Sequence, residues 1–369
     1  MRALLLLLLL AAAPGPAGWT QFRGDAQLTG RAQGDLPARP EPLWTFRAEK
    51  GFSSAAAISE GTVYAASLDG HLYALDLATG KLRWKHKASD EIKSSPSVRE
   101  GTVYFGDEKG MFHALDAKTG KPRWTFQAGA GIVSSANFSA HLGVNCVLVG
   151  SYDNSLYCLS PRNGSVVWKT ETEGYVHATP AVSPAGDTVI SAGCDGFLRV
   201  LRAKDGSEVR KIPLGGYVAA SPALAGGRAF LGNFENKLLG VDWQAGKVLW
   251  TYENSKRQFP YYSSAALAGN TVVVGGRDQM IHALDAATGK ELWTWSARSA
   301  IDASPVVIGN RVVAGAKNGA VFALDLKTGQ PVWRFEAGAP VEASPAVGAG
   351  RLVIGAMDGT LYCFGAKGR

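Results

Sequence analysis

The phrase Ala-Leu-Asp-Leu-Ala-Thr-Gly-Lys-Leu-Arg-Trp, from Ala74 to Trp84, returns in recognisable form down the chain, with copies ending at Trp124, Trp168, Arg210, Trp250, Trp293 and Trp333. A spacing of roughly 40 to 45 residues is the length of one four-stranded propeller blade. A second marker precedes each copy: Ser53-Ser54-Ala55, Ser94-Ser95-Pro96, Ser134-Ser135-Ala136, Ala178-Thr179-Pro180, Ala220-Ser221-Pro222, Ser263-Ser264-Ala265 and Ala303-Ser304-Pro305. Ala343-Ser344-Pro345 makes the eighth. Between markers, apolar runs are punctuated by Asn-Gly, Asp-Gly or Thr-Gly, the pattern of meandering antiparallel hairpins. No helical period competes with it.

The ends indicate how the array closes. After Pro345 the chain supplies RLVIGA and TLYCFG and stops without a Trp strand, while Pro42-Leu43-Trp44-Thr45-Phe46 is a Trp strand with no unit before it. The expected fold is therefore all-β: an eight-bladed β-propeller of four-stranded antiparallel blades, with the N-terminal strand completing the last blade and removing an open edge. Residues 42–369 form the propeller and residues 18–41 a wrapping segment over the surface. Its 45 glycines fit the many tight turns. Trp44, Trp84, Trp124, Trp168, Trp250, Trp293 and Trp333 are expected to dock between neighbouring sheets, because a residue repeated in every unit serves a joint and an active site is needed once.

The pattern A-x-D-x-x-T-G-x-x-x-W resembles the tryptophan-docking motif of pyrroloquinoline quinone (PQQ)-type propeller repeats. It is intact in Ala74, Asp76, Thr79, Gly80 and Trp84, in Ala114, Asp116, Thr119, Gly120 and Trp124, and in the units ending at Trp293 and Trp333. The opening Trp19-Thr20-Gln21-Phe22-Arg23-Gly24 resembles the W-x-Q-F-R-G start of many secreted proteins with such repeats. Two function classes follow from the resemblance. One is a noncatalytic, exported scaffold for envelope proteins, similar to the outer-membrane assembly (BamB-like) propellers. The other is a PQQ-dependent quinoprotein dehydrogenase with calcium over the channel. Such dehydrogenases are usually longer and carry a vicinal cysteine pair, and this chain has no adjacent cysteines. The scaffold is the preferred reading, with no cofactor or metal expected.

Arg2, the leucine run from Leu4 to Leu10 and the small residues after it read as a signal peptide over 1–17, too short for a membrane span. No cysteine lies near the cleavage region, so a lipoprotein anchor is not supported. The product is expected to be a soluble monomer, periplasmic or extracellular. Of cysteines 146, 158, 194 and 363, only Cys146 and Cys158 share a blade, and a tight Asp153-Asn154 turn would not set them directly opposite. Buried free thiols are expected, with pairing left open. The formal charge of +7 sits largely on turns such as Lys81, Lys121, Lys247 and Lys290. Export argues against nucleic acid as its partner, and weak attraction to anionic envelope surfaces uses the charge more economically.

Positions that break the repeat carry the functional signal. The residue before each marker is Phe52, Lys93, Val133, His177, Ala219, Tyr262, Asp302 and Glu342. These are expected to ring one mouth of the central channel, where a small-molecule or peptide site would draw on Phe52, Lys93, His177, Tyr262, Asp302 and Glu342. A merely hydrated rim is the plain alternative. The unit ending at Arg210 replaces the motif Asp and Trp by Arg202 and Arg210, and the connection Tyr252 to Tyr262 is long and rich in aromatics and charge. Arg257, Phe259 and Tyr261 in that connection are the expected partner contacts. No G-x-S-x-G or H-E-x-x-H motif supports a hydrolase.

Overall fold

Every hairpin turn has to bring one short apolar strand back on the last, and the result is eight radial sheets around a channel. The computed structural model describes residues 18–367 apart from Leu142. The expected signal peptide, 1–17, lies outside the described residues. Numbering blades along the chain, blade 1 consists of Ala57–Ser59, Thr62–Ala66, His71–Asp76 and Leu82–Lys87, from channel to rim. Blades 2 to 7 repeat that order with inner strands Ser97–Arg99, Asn137–His141, Ala181–Val182, Ala223–Ala225, Ala266–Ala268 and Val306–Ile308. Blade 8 takes its three inner strands from Ala346–Gly348, Arg351–Gly355 and Thr360–Gly365, and its outer strand from Glu41–Arg47. Trp44 pairs with Cys363 there, so the two ends of the chain close the ring. Among the described residues no helix is long and apolar enough to cross a membrane.

Antiparallel meandering puts two turn types on each face. The turns joining the first and second strands sit beside those joining the third and fourth, as when Leu77 N donates to Gly61 O (3.0 Å) and Ala117 N to Gly101 O (2.9 Å). We call this face the base. Turns between the second and third strands, and connections between blades, form the opposite mouth face, where Leu68 N donates to Gly51 O (2.9 Å).

Six of the eight blade joints are a tryptophan laid on a glycine. Thr79-Gly80 is pinned by Asp76, whose Oδ1 accepts from Thr79 N (2.9 Å) and Thr79 Oγ1 (2.8 Å), and Gly80 takes a φ of 71°. A Cβ there would lie 2.6 Å from the Trp44 ring of the preceding blade, so only glycine lets the indole seat. The indole N–H then donates to a carbonyl across the seam: Trp44 to Leu77, Trp124 to Pro161, Trp168 to Ala203 and Trp293 to Leu326 at 2.9 Å, Trp250 to Ala286 at 3.0 Å and Trp84 to Ala117 at 3.1 Å. Arg210 keeps the bond where the indole is lost, its Nε donating to Gln244 O at 2.8 Å. Trp333 faces blade 8, which has no such turn, and meets Phe364 edge-on at 5.4 Å.

The innermost strands would leave their channel-side amides unpaired, and two devices satisfy them. Toward the mouth, each marker hydroxyl accepts the backbone N–H of the same position one blade earlier. Ala55 N bonds Ser95 Oγ (3.1 Å), Ser95 N bonds Ser135 Oγ (2.9 Å), Ser135 N bonds Thr179 Oγ1 (3.0 Å), and the chain of bonds runs on through Ser221, Ser264 and Ser304 to Ser344 at 2.9 Å each. Ala55 has no hydroxyl, so this crown is open at the blade 8 to blade 1 seam.

Toward the base, the segment expected to wrap the surface instead runs across the inner edges of the blades. Carbonyls of Trp19, Thr20, Ala26, Gln27, Thr29 and Gly30 accept from Ile58, Val98, Val182, Leu224, Leu267 and Val307 at 2.6 to 2.9 Å. In blade 3 the side chain of Asn137 takes over, bonded by Gln21 (2.9 Å) and donating to Ala26 O (2.9 Å). Arg31–Ala32 then adds a parallel strand to blade 7. The W-x-Q-F-R-G residues build this plug. Trp19 is buried against Gly24, and Arg23, 1% exposed, reaches Ala265 O (2.9 Å) and Pro305 O (2.6 Å) in blades 6 and 7. Burial lowers the Arg23 pKa to about 9, which leaves it cationic at neutral pH.

Cys146 and Cys158 are disulfide-bonded, correcting the expectation of free thiols. They are indeed not opposite, since Cys158 pairs with Leu148. They are diagonal neighbours on one face of blade 3, and their Cα atoms stand 5.2 Å apart, inside bridging range. Cys363 is buried and Cys194 half-buried, both as free thiols.

Gly120 and Gly61 share a φ near 69°, but an added Cβ meets Trp84 at 2.5 Å in the first and nothing within 4 Å in the second. Gly61→Ala is expected to cost about 1 kcal/mol, the strain of a left-handed alanine. Gly120→Ala should cost at least about 2 kcal/mol more by unseating the indole. Urea unfolding of the pair measures the joint directly, and equal losses would mean the docking contributes nothing.

Candidate functional site at the mouth of the ring

With the base plugged, the channel is a blind cup of about 300 Å³, floored by Phe22 and walled by the hydroxyl crown. Lys93, Val133, His177, Ala219, Tyr262, Asp302 and Glu342 line it, so seven of the eight expected rim positions are brought together. Phe52 is not among them, which corrects that assignment. Blade 1 is read one residue off by its marker. Ala57 pairs with Tyr64 as Ser97 pairs with Tyr104, so Ala55 is the counterpart of Ser95 and Ser53 that of Lys93. Phe52 therefore occupies the buried position held by Ile92, Ile132 and Val341 in other blades, and is 1% exposed.

The rim divides into two unlike halves. Across blades 3 to 6 it is aromatic. Tyr152 stacks on Tyr175 (5.0 Å) and on His177 (5.8 Å), its hydroxyl lies 2.7 Å from His177 Nδ1, and Phe234 packs on Tyr262 at 4.6 Å. Tyr217 projects between them, 63% exposed. Burial, then Glu108, pushes the Tyr152 hydroxyl up to about 12, and burial, then Lys93, pushes the His177 imidazole down from 6.5. Both groups are thus neutral at pH 7.

From blade 6 around to blade 2 the rim is charged and internally paired. Arg277 lies over the Tyr262 ring at 3.5 Å and grips Asp302 with two bonds of 2.8 and 2.9 Å. Lys317 bridges Asp302 (2.9 Å) and Glu342 (3.2 Å), and Lys93 holds Glu108 at 3.1 Å. Burial alone would raise the Asp302 carboxyl, but Arg277 and Lys317 outweigh it and hold its pKa below the usual value.

The sequence reading missed Glu108, Tyr152, Phe234, Arg277 and Lys317. All five sit at one repeated place, the middle of the turn between second and third strands, aligned with Leu68, Cys194 and Met357. That place varies in every blade, so the signal that found the rim was present there too.

The long connection lies beside this face. Arg257 is exposed and donates to Asp278 O (3.0 Å) and Gln279 Oε1 (3.2 Å), and Phe259 is 49% exposed. Tyr261 is not available to a partner, which corrects its assignment. It fills the same buried position as Phe52, 1% exposed, over Gly232 and edge-on to His282 at 5.6 Å.

The fold and rim define an eight-bladed propeller with one sealed face and one open, variable face. A family model described as outer membrane protein assembly factor BamB matches residues 37–174, 152–294 and 277–369, and the chain belongs to that family of PQQ-type repeats. No curated protein sequence matches. Among solved structures, BamB from Moraxella catarrhalis is similar at a TM-score of 0.75 and 20% identity, covering 89% of this chain and 100% of its own. A computationally designed protein, Ika8, gives 0.77 and 21%, covering 88% and 100%. Quinohemoprotein alcohol dehydrogenase from Comamonas testosteroni gives 0.80 and 14%, covering 96% and 81%. At these identities the likeness is one of fold.

Because the folded pKa of His177 is below the unfolded 6.5, the unfolded chain binds more protons as pH falls below that value, and stability drops until the folded pKa is passed. His177→Gln should lose less stability than the native protein between about pH 7.5 and about pH 5. Parallel urea midpoints at the two pH values test this, and an equal drop would contradict it.

Proposed function

We propose that this protein is an exported, noncatalytic scaffold of the cell envelope that holds partner proteins of outer-membrane assembly on its mouth face. The observation that carries the reading is the aromatic half-rim on the face the plug leaves open, in a chain whose family is described as an outer-membrane assembly factor. Tyr175, Tyr217 and Phe259 are exposed there by 53%, 63% and 49%, and rigid aromatic rings lose little entropy when they anchor an interface. The mixed charges of Arg277, Lys93 and Glu342 supply a polar surround.

The quinoprotein alternative fits the fold and not the donor set. A calcium ion needs several free oxygen ligands, and the rim carboxylates Asp302 and Glu342 are already paired with Arg277 and Lys317. Placing a divalent cation there would set it against two fixed positive charges. No catalytic step is assigned to this site.

Tyr175→Ser with Tyr217→Ser, surface changes that leave the joints intact, should cut recovery of outer-membrane assembly components with the tagged protein at least about tenfold at an unchanged melting temperature. Undiminished recovery would exclude the aromatic half-rim as the contact.

A further inference from the structure

The base carries a second surface that the scaffold reading does not use. Of the eleven large hydrophobic side chains exposed among the described residues, three are on the mouth side and eight are on outer strands: Leu82, Val166, Val167, Val209, Val248, Leu249, Leu292 and Val332. All eight fall within the first three residues of those strands, next to the base turns, and are 36% to 51% exposed. They form a discontinuous apolar rim over six blades. In blades 2 and 8 the same place holds Pro122 and Pro42.

Lysines interleave with this rim. Lys81, Lys121, Lys247 and Lys290 each follow a turn glycine; Lys81 and Lys247 directly precede Leu82 and Val248, Lys290 lies two residues before Leu292, Lys121 precedes Pro122, and none of the four makes an ion pair among the described residues. The carboxylates nearby are engaged otherwise. Asp76 and Asp116 accept from the turn amides and pair with Arg83 (2.7 Å) and Arg123 (2.8 Å), and Asp285 accepts from Thr288. On the mouth face the cations nearest the cup are paired, Lys50 with Glu91, Lys93 with Glu108, and Lys317 with Asp302, and Lys109, Lys256 and Arg298 further out are not. These four unpaired lysines and the exposed aliphatic side chains thus share one face, the face the plug has closed.

A closed face edged by alternating aliphatic side chains and free lysines matches an anionic bilayer surface, which offers phosphate charge at the level of the lysines and an acyl boundary for the aliphatics. We propose that the base docks peripherally on an anionic lipid bilayer, leaving the mouth face pointed away from the membrane. A protein partner would be expected to bury a contiguous patch, whereas these residues are spread round a ring at one height, which suits a planar partner.

Flotation with vesicles of phosphatidylcholine containing about 30% phosphatidylglycerol tests this. Native protein should bind them, should not bind pure phosphatidylcholine, and should be released at about 0.5 M salt, where screening is short-ranged. The combined Lys81→Gln, Lys121→Gln, Lys247→Gln and Lys290→Gln variant should bind at least about tenfold more weakly. Leu82→Gln with Leu292→Gln should also weaken binding with the charge unchanged. No binding to the anionic vesicles, or undiminished binding by the lysine variant, would overturn the proposal. So would binding to soluble dextran sulfate that competes with the vesicles and is untouched by the leucine changes, since that marks a soluble polyanion. The Tyr175→Ser and Tyr217→Ser variant should bind vesicles like native protein, so failure here is separable from failure of the scaffold reading.

Discussion

A ring of radial sheets has eight inner edges, and their backbone amides face a channel in which unpaired N–H groups are costly. In this protein the partners for those amides come from two places that have nothing to do with one another in sequence. A hydroxyl borrowed from the next blade serves the mouth end, and a single winding segment, residues 19–30, serves the base end. The second solution turns a tube into a cup. It also commits a buried arginine to carbonyls of two blades, with Nε and Nη1 of Arg23 left without a partner among the described residues. A tethered plug tolerates that cost because its carbonyls are bonded blade after blade.

The outer seams are solved by repetition. Tryptophan on left-handed glycine, with Asp pinning the turn, recurs until the chain runs out, and Arg210 preserves the hydrogen bond where the ring is lost. Repetition of structural residues leaves only a few places per blade free to vary, and those places cluster on the mouth face. The asymmetry of the molecule follows: a base with shared chemistry in most blades, suited to a uniform surface, and a mouth with different chemistry from blade to blade, suited to a particular partner.

The blade count, the strand order and closure by Pro42 to Phe46 were legible because they rest on period and turn chemistry, which are local. What was not legible depended on register or on distant chain. Ser53-Ser54-Ala55-Ala56 contains two overlapping markers, and choosing the wrong one moved Phe52 from core to rim, since a one-residue slip exchanges the faces of a strand. Tyr261 looked like an exposed loop aromatic because the connection that carries it is long and charged, while its place one residue before the rim makes it core. The Cys146–Cys158 bridge was hidden by counting opposite partners when the diagonal pair is the close one. The path of Trp19 to Gly30 has no periodicity to reveal it, and it bonds the blade edges mainly through backbone carbonyls, which any residue supplies.

The dependence of the ring on its plug is tested most directly by amide hydrogen exchange at Ile58, Val98, Val182, Leu224, Leu267 and Val307, the donors to the plug carbonyls. These six amides should exchange as slowly as the central strands of the blades in the native protein. In Arg23→Ala, which frees the plug from blades 6 and 7, Leu267 and Val307 should lose protection first. Fast exchange of all six in the native protein would mean that the inner edges are open to water and that the plug does not hold the ring.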